Sequence, residues 1–318
     1  VLSSRPVSSP AYVDLTVEVG AVRLPNPILA ASGTFGYGLE FAHLVDFRRL
    51  GGFVTKGISS EPIEGAPSPR VCETPSGMLN AVGLQNVGVE AFASTTLPLL
   101  HKYNTNVIVN VFGYCLEEYV RVIERLEGAE GIAAYELNIS CPNVKRGGMQ
   151  FGSNPALVEE VVAAAKSVAR KRPLWVKLMP LVTDIGLIAK SAEAAGADAL
   201  TVANTYPAMS VDFRTGKSRL GNPTGGLSGP AIRPITVKLV WEAKKAVRIP
   251  IIALGGIERA ADILEYLAVG ASAVQVGTAS FTDPAISEQL ARDLAKAVSE
   301  ANVLTISDLK EKVAVNFG

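Results

Sequence analysis

Glu136-Leu137-Asn138-Ile139-Ser140-Cys141-Pro142-Asn143 sets a thiol between two carboxamides at the end of a β-type run. Tyr135, Leu137 and Ile139 carry strand-forming bulk and Pro142 stops the ladder, so Cys141 is expected at the C-terminal tip of a strand. Asn138 and Asn143 offer amide donors and acceptors on either side of it. A thiol has an ordinary pKa of about 8.5 and acts as a base or nucleophile only as its thiolate. The arrangement suits proton transfer. The competing reading is a buried structural cysteine.

Other apolar runs end in polar groups in the same way. In chain order the tips are Ser32, Lys56, Asn110, Asn138 with Cys141, Lys177, Asn204 with Thr205, Gly255-Gly256, and Gly277-Thr278. Burying such groups without partners costs a few kcal/mol each, which a ligand can offset. The two glycine tips each precede a helical pattern and are expected to take a phosphate on backbone N–H groups. The alternative is a pair of ordinary tight turns. Lys56 and Lys177 read either as solvated strand-end lysines or as Schiff-base or charge-stabilising groups. On these residues alone two chemistries stay open: flavin-dependent redox, and carbon–carbon lyase or isomerase chemistry on a sugar phosphate.

The elements that must position these groups alternate regularly. A hairpin is expected over Val13–Val19 and Val22–Leu24, with residues 1–12 as a flexible N-terminal extension. Strands follow at 27–31, 52–56, 107–111, 135–140, 174–178, 199–203, 251–254 and 273–276. Helices are expected at 40–50, 89–101, 116–126, 155–170, 184–195, 230–247, 258–269 and 285–301. Asn154-Pro155 reads as a cap and first-turn proline, and Thr183 as the next cap. Two excursions, Gly57 to Gly88 and Tyr206 to Leu227, are rich in Gly and Pro and long enough to be functional. About eight apolar strands, each followed by a helix, predict a (β/α)8 TIM barrel spanning 1–318 as one domain, with the excursions at its C-terminal mouth. A doubly wound open sheet is second, because no Gly-x-Gly-x-x-Gly follows the first strand.

Composition narrows the classes further. The 318 residues carry formal net charge +0, which argues against a nucleic-acid partner. No run of about 18 apolar residues predicts a membrane span. Val1 in place of Met suggests processing or trimming. Cys72, Cys115 and Cys141 are far apart, which excludes a disulfide framework and favours a reducing cytoplasm. With only His43 and His101, both in helical patterns, no metal site or Ser-His-Asp triad is expected. Cys72 and Cys115 read as structural.

Taken together the motifs resemble a family. Asn138-Ile-Ser-Cys141-Pro-Asn143 resembles the catalytic loop of class 1 dihydroorotate dehydrogenases, and Leu79-Asn80-Ala81-Val82-Gly83-Leu84-Gln85-Asn86 their substrate loop. Thr215-Gly-Lys217, Thr224 to Pro230 and Asn143 to Gly152 are similar to the NAD-linked heteromeric subclass (1B); the fumarate-linked subclass ranks second. The resemblance runs from about Leu24 to about Phe281, with a departure at Tyr206-Pro207-Ala208. It implies oxidation of dihydroorotate to orotate in pyrimidine (UMP) synthesis, with Cys141 as base and FMN as hydride acceptor. By the same resemblance Lys56, Asn80, Ala81, Val82, Gly83, Leu84, Asn138, Asn143, Asn204 and Thr205 bind substrate. Ser32, Lys56, Gly57, Asn110, Asn138, Lys177, Ala203, Gly229, Gly255, Gly256, Gly277 and Thr278 hold FMN, with Lys177 near the N1–C2=O edge, and the stretch from Lys145 to Gly152 is a lid. FAD and a 2Fe–2S centre are implied on a partner subunit, around a homodimer core in a heterotetramer. A flavin-free Schiff-base lyase and a non-catalytic scaffold are the rival functions.

Overall fold

Eight apolar runs pair in parallel and close on themselves: β1 Ile28–Ala30, β2 Gly52–Val54, β3 Val107–Val111, β4 Ala134–Asn138, β5 Leu174–Lys177, β6 Ala199–Val202, β7 Ile251–Leu254 and β8 Ala273–Val276. This computed structural model, which describes residues 13–140 and 151–316, has the expected (β/α)8 barrel architecture. Each strand pairs with the next in sequence, and β8 returns to β1 through Val274↔Ile28 and Val276↔Ala30.

Side chains alternate across each strand, so one set faces the helices and the other the barrel axis. The outward set, Ile28, Phe53, Val109, Tyr135, Val176, Leu200 and Val274 among them, packs in the main core beneath the helices. The inward set forms a second apolar cluster, to which every strand contributes one residue: Leu29, Val54, Ile108, Ala134, Trp175, Ala199, Ile252 and Ala273. Val19, Val22 and Leu24 from the hairpin Val17–Val19 and Val22–Leu24 join that cluster and plug the N-terminal end. The hairpin turn needs Gly20: its φ is +49°, and a Cβ would lie 2.9 Å from the Asp198 carbonyl oxygen and the Trp175 indole nitrogen.

Helices Leu116–Glu127, Pro155–Val168, Ile185–Ala194, Arg233–Ala246, Ala260–Ala268 and Ile286–Glu300 follow strands as predicted. The Asn154 side chain accepts from the Ala156 and Leu157 N–H groups, as its position before Pro155 implies. Other readings need correction. Asp184, not Thr183, caps Ile185–Ala194, because its carboxylate accepts from the Leu187 N–H. Residues 40–50 form two separate tight turns, Leu39–Phe41 and Phe47–Arg49, not one helix. Asp46 caps the second turn by accepting from the Arg48 N–H, while Phe35 stacks on Phe41 and packs against Phe47 and Phe53. The stretch after Gly88 is helical but widens over Phe92–Thr96, where Pro98 has no N–H to offer the Ser94 carbonyl. Helix Ile306–Val313, capped by Thr305, has no counterpart among the predicted elements.

The two Gly- and Pro-rich excursions are not independent loops. They combine into a four-stranded antiparallel sheet in the order Tyr206–Ala208, Gly225–Ser228, Gly77–Asn80, Val71–Thr74. The central pairing, Gly226↔Asn80 and Leu227↔Leu79, ties the excursion after β2 to the one after β6.

Candidate active site

Two residues beyond the apolar inward layer, the next axis-facing positions are Ala31, Lys56, Asn110, Glu136, Lys177, Thr201, Leu254 and Gln275. Here the interior turns polar. Glu136 is fully buried, and its carboxylate accepts from Asn110 Nδ2 at 2.7 Å, Thr201 Oγ1 at 2.8 Å and Gln275 Nε2 at 2.6 Å. Lys177 Nζ lies 3.9 Å from the same carboxylate and donates to Ser32 Oγ at 2.9 Å. Burial pulls the Lys177 ammonium below the ordinary lysine range, and the charge of Glu136 opposes that shift. Among the described residues, Asn110 Oδ1 and Gln275 Oε1 have no hydrogen-bond partner.

Above this floor opens a cavity of about 570 Å³, within the range of small-molecule sites. Its wall includes Lys56, which has no carboxylate within 4 Å among the described residues. Burial lowers the pKa of Lys56, the Arg70 charge adds to that, and Glu40 opposes it. On the next side Ser140, the residue before Cys141, donates to Asn138 Oδ1 at 2.6 Å and accepts from Asn204 Nδ2 at 2.5 Å. Asn204 Oδ1 in turn accepts from the Thr205 N–H at 2.7 Å. Tyr119 OH donates to the Asn138 carbonyl at 2.9 Å and fixes the end of β4.

The sheet of the two excursions supplies the roof. Asn80 Nδ2 donates to the Gly226 carbonyl at 3.1 Å. The loop that follows passes through Gly83 and Leu84, both at positive φ. Arg70 holds it from behind, donating to the Ala66 and Glu64 carbonyls and to Gln85 Oε1. At the far end Thr278 Oγ1 donates to Ser228 Oγ at 2.8 Å, joining the β8 tip to the roof. The Gly255 carbonyl accepts from Tyr266 OH at 2.6 Å, and Gly256 follows at φ +66°.

One cavity therefore gathers Ser32, Lys56, Gly57, Asn80, Ala81, Val82, Gly83, Leu84, Asn110, Asn138, Lys177, Ala203, Asn204, Thr205, Gly255, Gly256, Gly277 and Thr278. Gly229 sits behind the wall, where a Cβ would lie 2.7 Å from the Gly77 Cα. Cys141, Asn143 and Lys145 to Gln150 lie outside the described residues. Cys72 and Cys115 are half-buried and off the wall. Sequence reasoning missed Glu136, Ser140, Thr201, Ser228 and Gln275 as site residues. For the four on barrel strands or their tips the available signal was a polar side chain at the inward register of an apolar strand; Ser228, on the roof strand, carried no such signal. No group of three metal-ligating side chains occurs among the described residues. No helix among them is long and apolar enough to cross a membrane.

The family model described as Dihydroorotate dehydrogenase matches residues 14–298. The chain belongs to the dihydroorotate dehydrogenase family. It is 51% identical to a Pelobacter propionicus protein named dihydroorotate dehydrogenase B (NAD(+)), catalytic subunit, over 93% of this chain and 97% of that one. A Geobacter sp. protein of the same name is 49% identical over the same shares. A Solibacter usitatus protein with the provisional name dihydroorotate dehydrogenase A (fumarate) is 52% identical over 93% and 97%. This dihydroorotate dehydrogenase family member is an oxidoreductase, and its strand-tip groups are where such a barrel places its chemistry.

Proposed function

We propose that the chain is an FMN-containing catalytic subunit that oxidises dihydroorotate to orotate and passes the electrons to a partner holding FAD and a 2Fe–2S centre, with NAD as the final acceptor. The observation that carries this reading is the single cavity in which two lysines, four asparagines and two glycine tips from separate strands converge. Its wall fits a flavin: among the described residues Asn110 Oδ1 lacks a partner, and a Cβ at Gly33 would meet no atom within 4 Å, nor one at Gly277 within 3.5 Å. Ser32, Asn110, Asn138 and Lys177 would hold its ring and ribityl parts, and the Gly255-Gly256 and Gly277-Thr278 tips its phosphate. Bound there, FMN supplies the hydride acceptor for C6 of the substrate.

The chain's own residues do the rest. Cys141 takes the proton from C5, a step worth roughly 10²–10⁴ in rate from a positioned base. Lys56 offers a positive charge to the substrate carboxylate, and Asn80, Asn138, Asn143, Asn204 and Thr205 bind its polar edges. The Asn138–Ser140–Asn204 chain fixes how each amide is oriented. The roof loop from Asn80 to Leu84 closes one side of the cavity and excludes water there.

Anaerobic addition of dihydroorotate to the purified protein tests this. Flavin absorbance is expected to bleach with stoichiometric orotate formation; a correctly folded protein that neither carries nor takes up FMN would overturn the reading. A covalent adduct trapped by borohydride on Lys56 or Lys177 would favour the lyase instead. The Solibacter relative keeps a second acceptor in view. Turnover by this chain alone with fumarate would assign the partner-free route, and NAD reduction that requires an added iron–sulfur flavoprotein would assign the other.

A further inference from the structure

The inward positions two residues above the apolar layer hold a carboxylate that no proposed step uses. Glu136 is 0% exposed, sits in the middle of β4, and takes donors from three other strands: Asn110 from β3, Thr201 from β6 and Gln275 from β8. A carboxylate only accepts, so Asn110 and Gln275 must each turn their NH2 end toward it. Both carbonyl ends are then directed elsewhere, and both lack partners among the described residues. Lys177, 4% exposed, has no other carboxylate within 4 Å among those residues.

We propose that Glu136 is a positioning residue for the cofactor: its carboxylate keeps the Lys177 ammonium charged and in place, and through that lysine sets the reduction potential of the flavin. The inference rests on the flavin reading of the cavity. An ammonium this deep is held charged by its counter-ion or not at all, since burial disfavours the charged form.

Glu136→Gln tests this. It keeps the volume, removes the charge, and puts an NH2 where an acceptor stood. One amide cannot accept from Asn110 on one side and from Thr201 and Gln275 on the other. The midpoint potential of bound FMN, read by anaerobic spectroelectrochemistry, is expected to move negative, because Lys177 loses its proton and reduced flavin loses a stabilising cation. The FMN dissociation constant is expected to rise roughly tenfold, the size of one lost charge-assisted hydrogen bond. A potential that stays put or moves positive overturns the proposal. Lys177→Met is the second arm. If Glu136 acts through Lys177, Lys177→Met and the double variant Glu136→Gln/Lys177→Met share one potential; a further shift in the double variant overturns it. That arm stands even where Glu136→Gln alone fails to fold, since the double variant removes both buried charges together. A wild-type protein that binds no flavin would sink the flavin reading, whereas a wild-type flavoprotein indifferent to Glu136→Gln sinks this inference alone.

Discussion

Inside the barrel, Leu29, Val54, Ile108, Ala134, Trp175, Ala199, Ile252 and Ala273 fill one layer, and Ala31, Lys56, Asn110, Glu136, Lys177, Thr201, Leu254 and Gln275 occupy the next. The two layers lie on the same strands, two residues apart. The lower is wholly apolar and sealed by the hairpin. Six of the eight upper side chains are polar, and the described hydrogen bonds converge on one carboxylate. Apolar burial stabilises without directional partners, whereas buried polar groups cost unless each is paired. The difference teaches where stability and function separate: a step of two residues changes the purpose of a strand.

That separation can be broken by substitution. The largest effect is expected from Cys141→Ala, with dihydroorotate oxidation falling by roughly 10²–10⁴ while flavin content and melting temperature hold. Steady-state assays with an artificial acceptor and a thermal melt check it; near wild-type turnover would move the base elsewhere. In the lower layer, Trp175→Ala should do the reverse, costing about 3–5 kcal/mol of stability in urea titration. The flavin spectrum of the molecules still folded should be unchanged, and loss of flavin at full stability would dissolve the distinction between the layers.

Lys56 sharpens the comparison at the upper edge. Its pKa is lowered from 10.5, first by burial and then by Arg70. The cation is therefore complete at low pH and lost as pH rises through that lowered value, which lies below 10.5. Orotate affinity should fall over that range in the wild type. It should fall roughly tenfold at neutral pH in Lys56→Met, the size of one charge-assisted contact. Lys56→Arg should hold its charge across the range; orotate binding indifferent to pH in the wild type would remove Lys56 from the anion site. The smallest effect is expected from Asn154→Ala, which deletes a helix cap outside both layers and should cost about 1 kcal/mol without altering flavin affinity.

The barrel was legible because strands buried on both faces read as apolar runs, and the helices between them carried caps such as Asn154. The same feature concealed half of the site. Reading β4 and β8 as continuous runs hides the alternation that points Glu136 and Gln275 inward beside Asn110. Only closure of the barrel brings residues as far apart as Glu136 and Gln275 to 2.6 Å. Strand tips were readable because each ends locally, at a polar residue, a Gly or a Pro. Residues 40–50 misled because aromatic packing among Phe35, Phe41, Phe47 and Phe53 overrides a helical pattern that Asp46 already interrupts.

The roof sheet has a kinetic side. Between β2 and β6 the barrel strands pair with their neighbours in sequence, whereas Asn80, in the excursion after β2, bonds Gly226, in the excursion after β6, across 146 residues. Loop closure must be met before such a pairing gains anything, so the roof forms after the strands it covers. The cavity is then completed only after β2 to β6 beneath it have paired. In native-state hydrogen exchange the amides of Gly77–Asn80 and Gly225–Ser228 should exchange through openings smaller than those that release Val107–Val111. Equal protection of the two regions would mean that roof and barrel open as one unit. With the roof formed after those strands, a bound ligand that touches both regions slows its opening without hastening the pairing of the strands beneath.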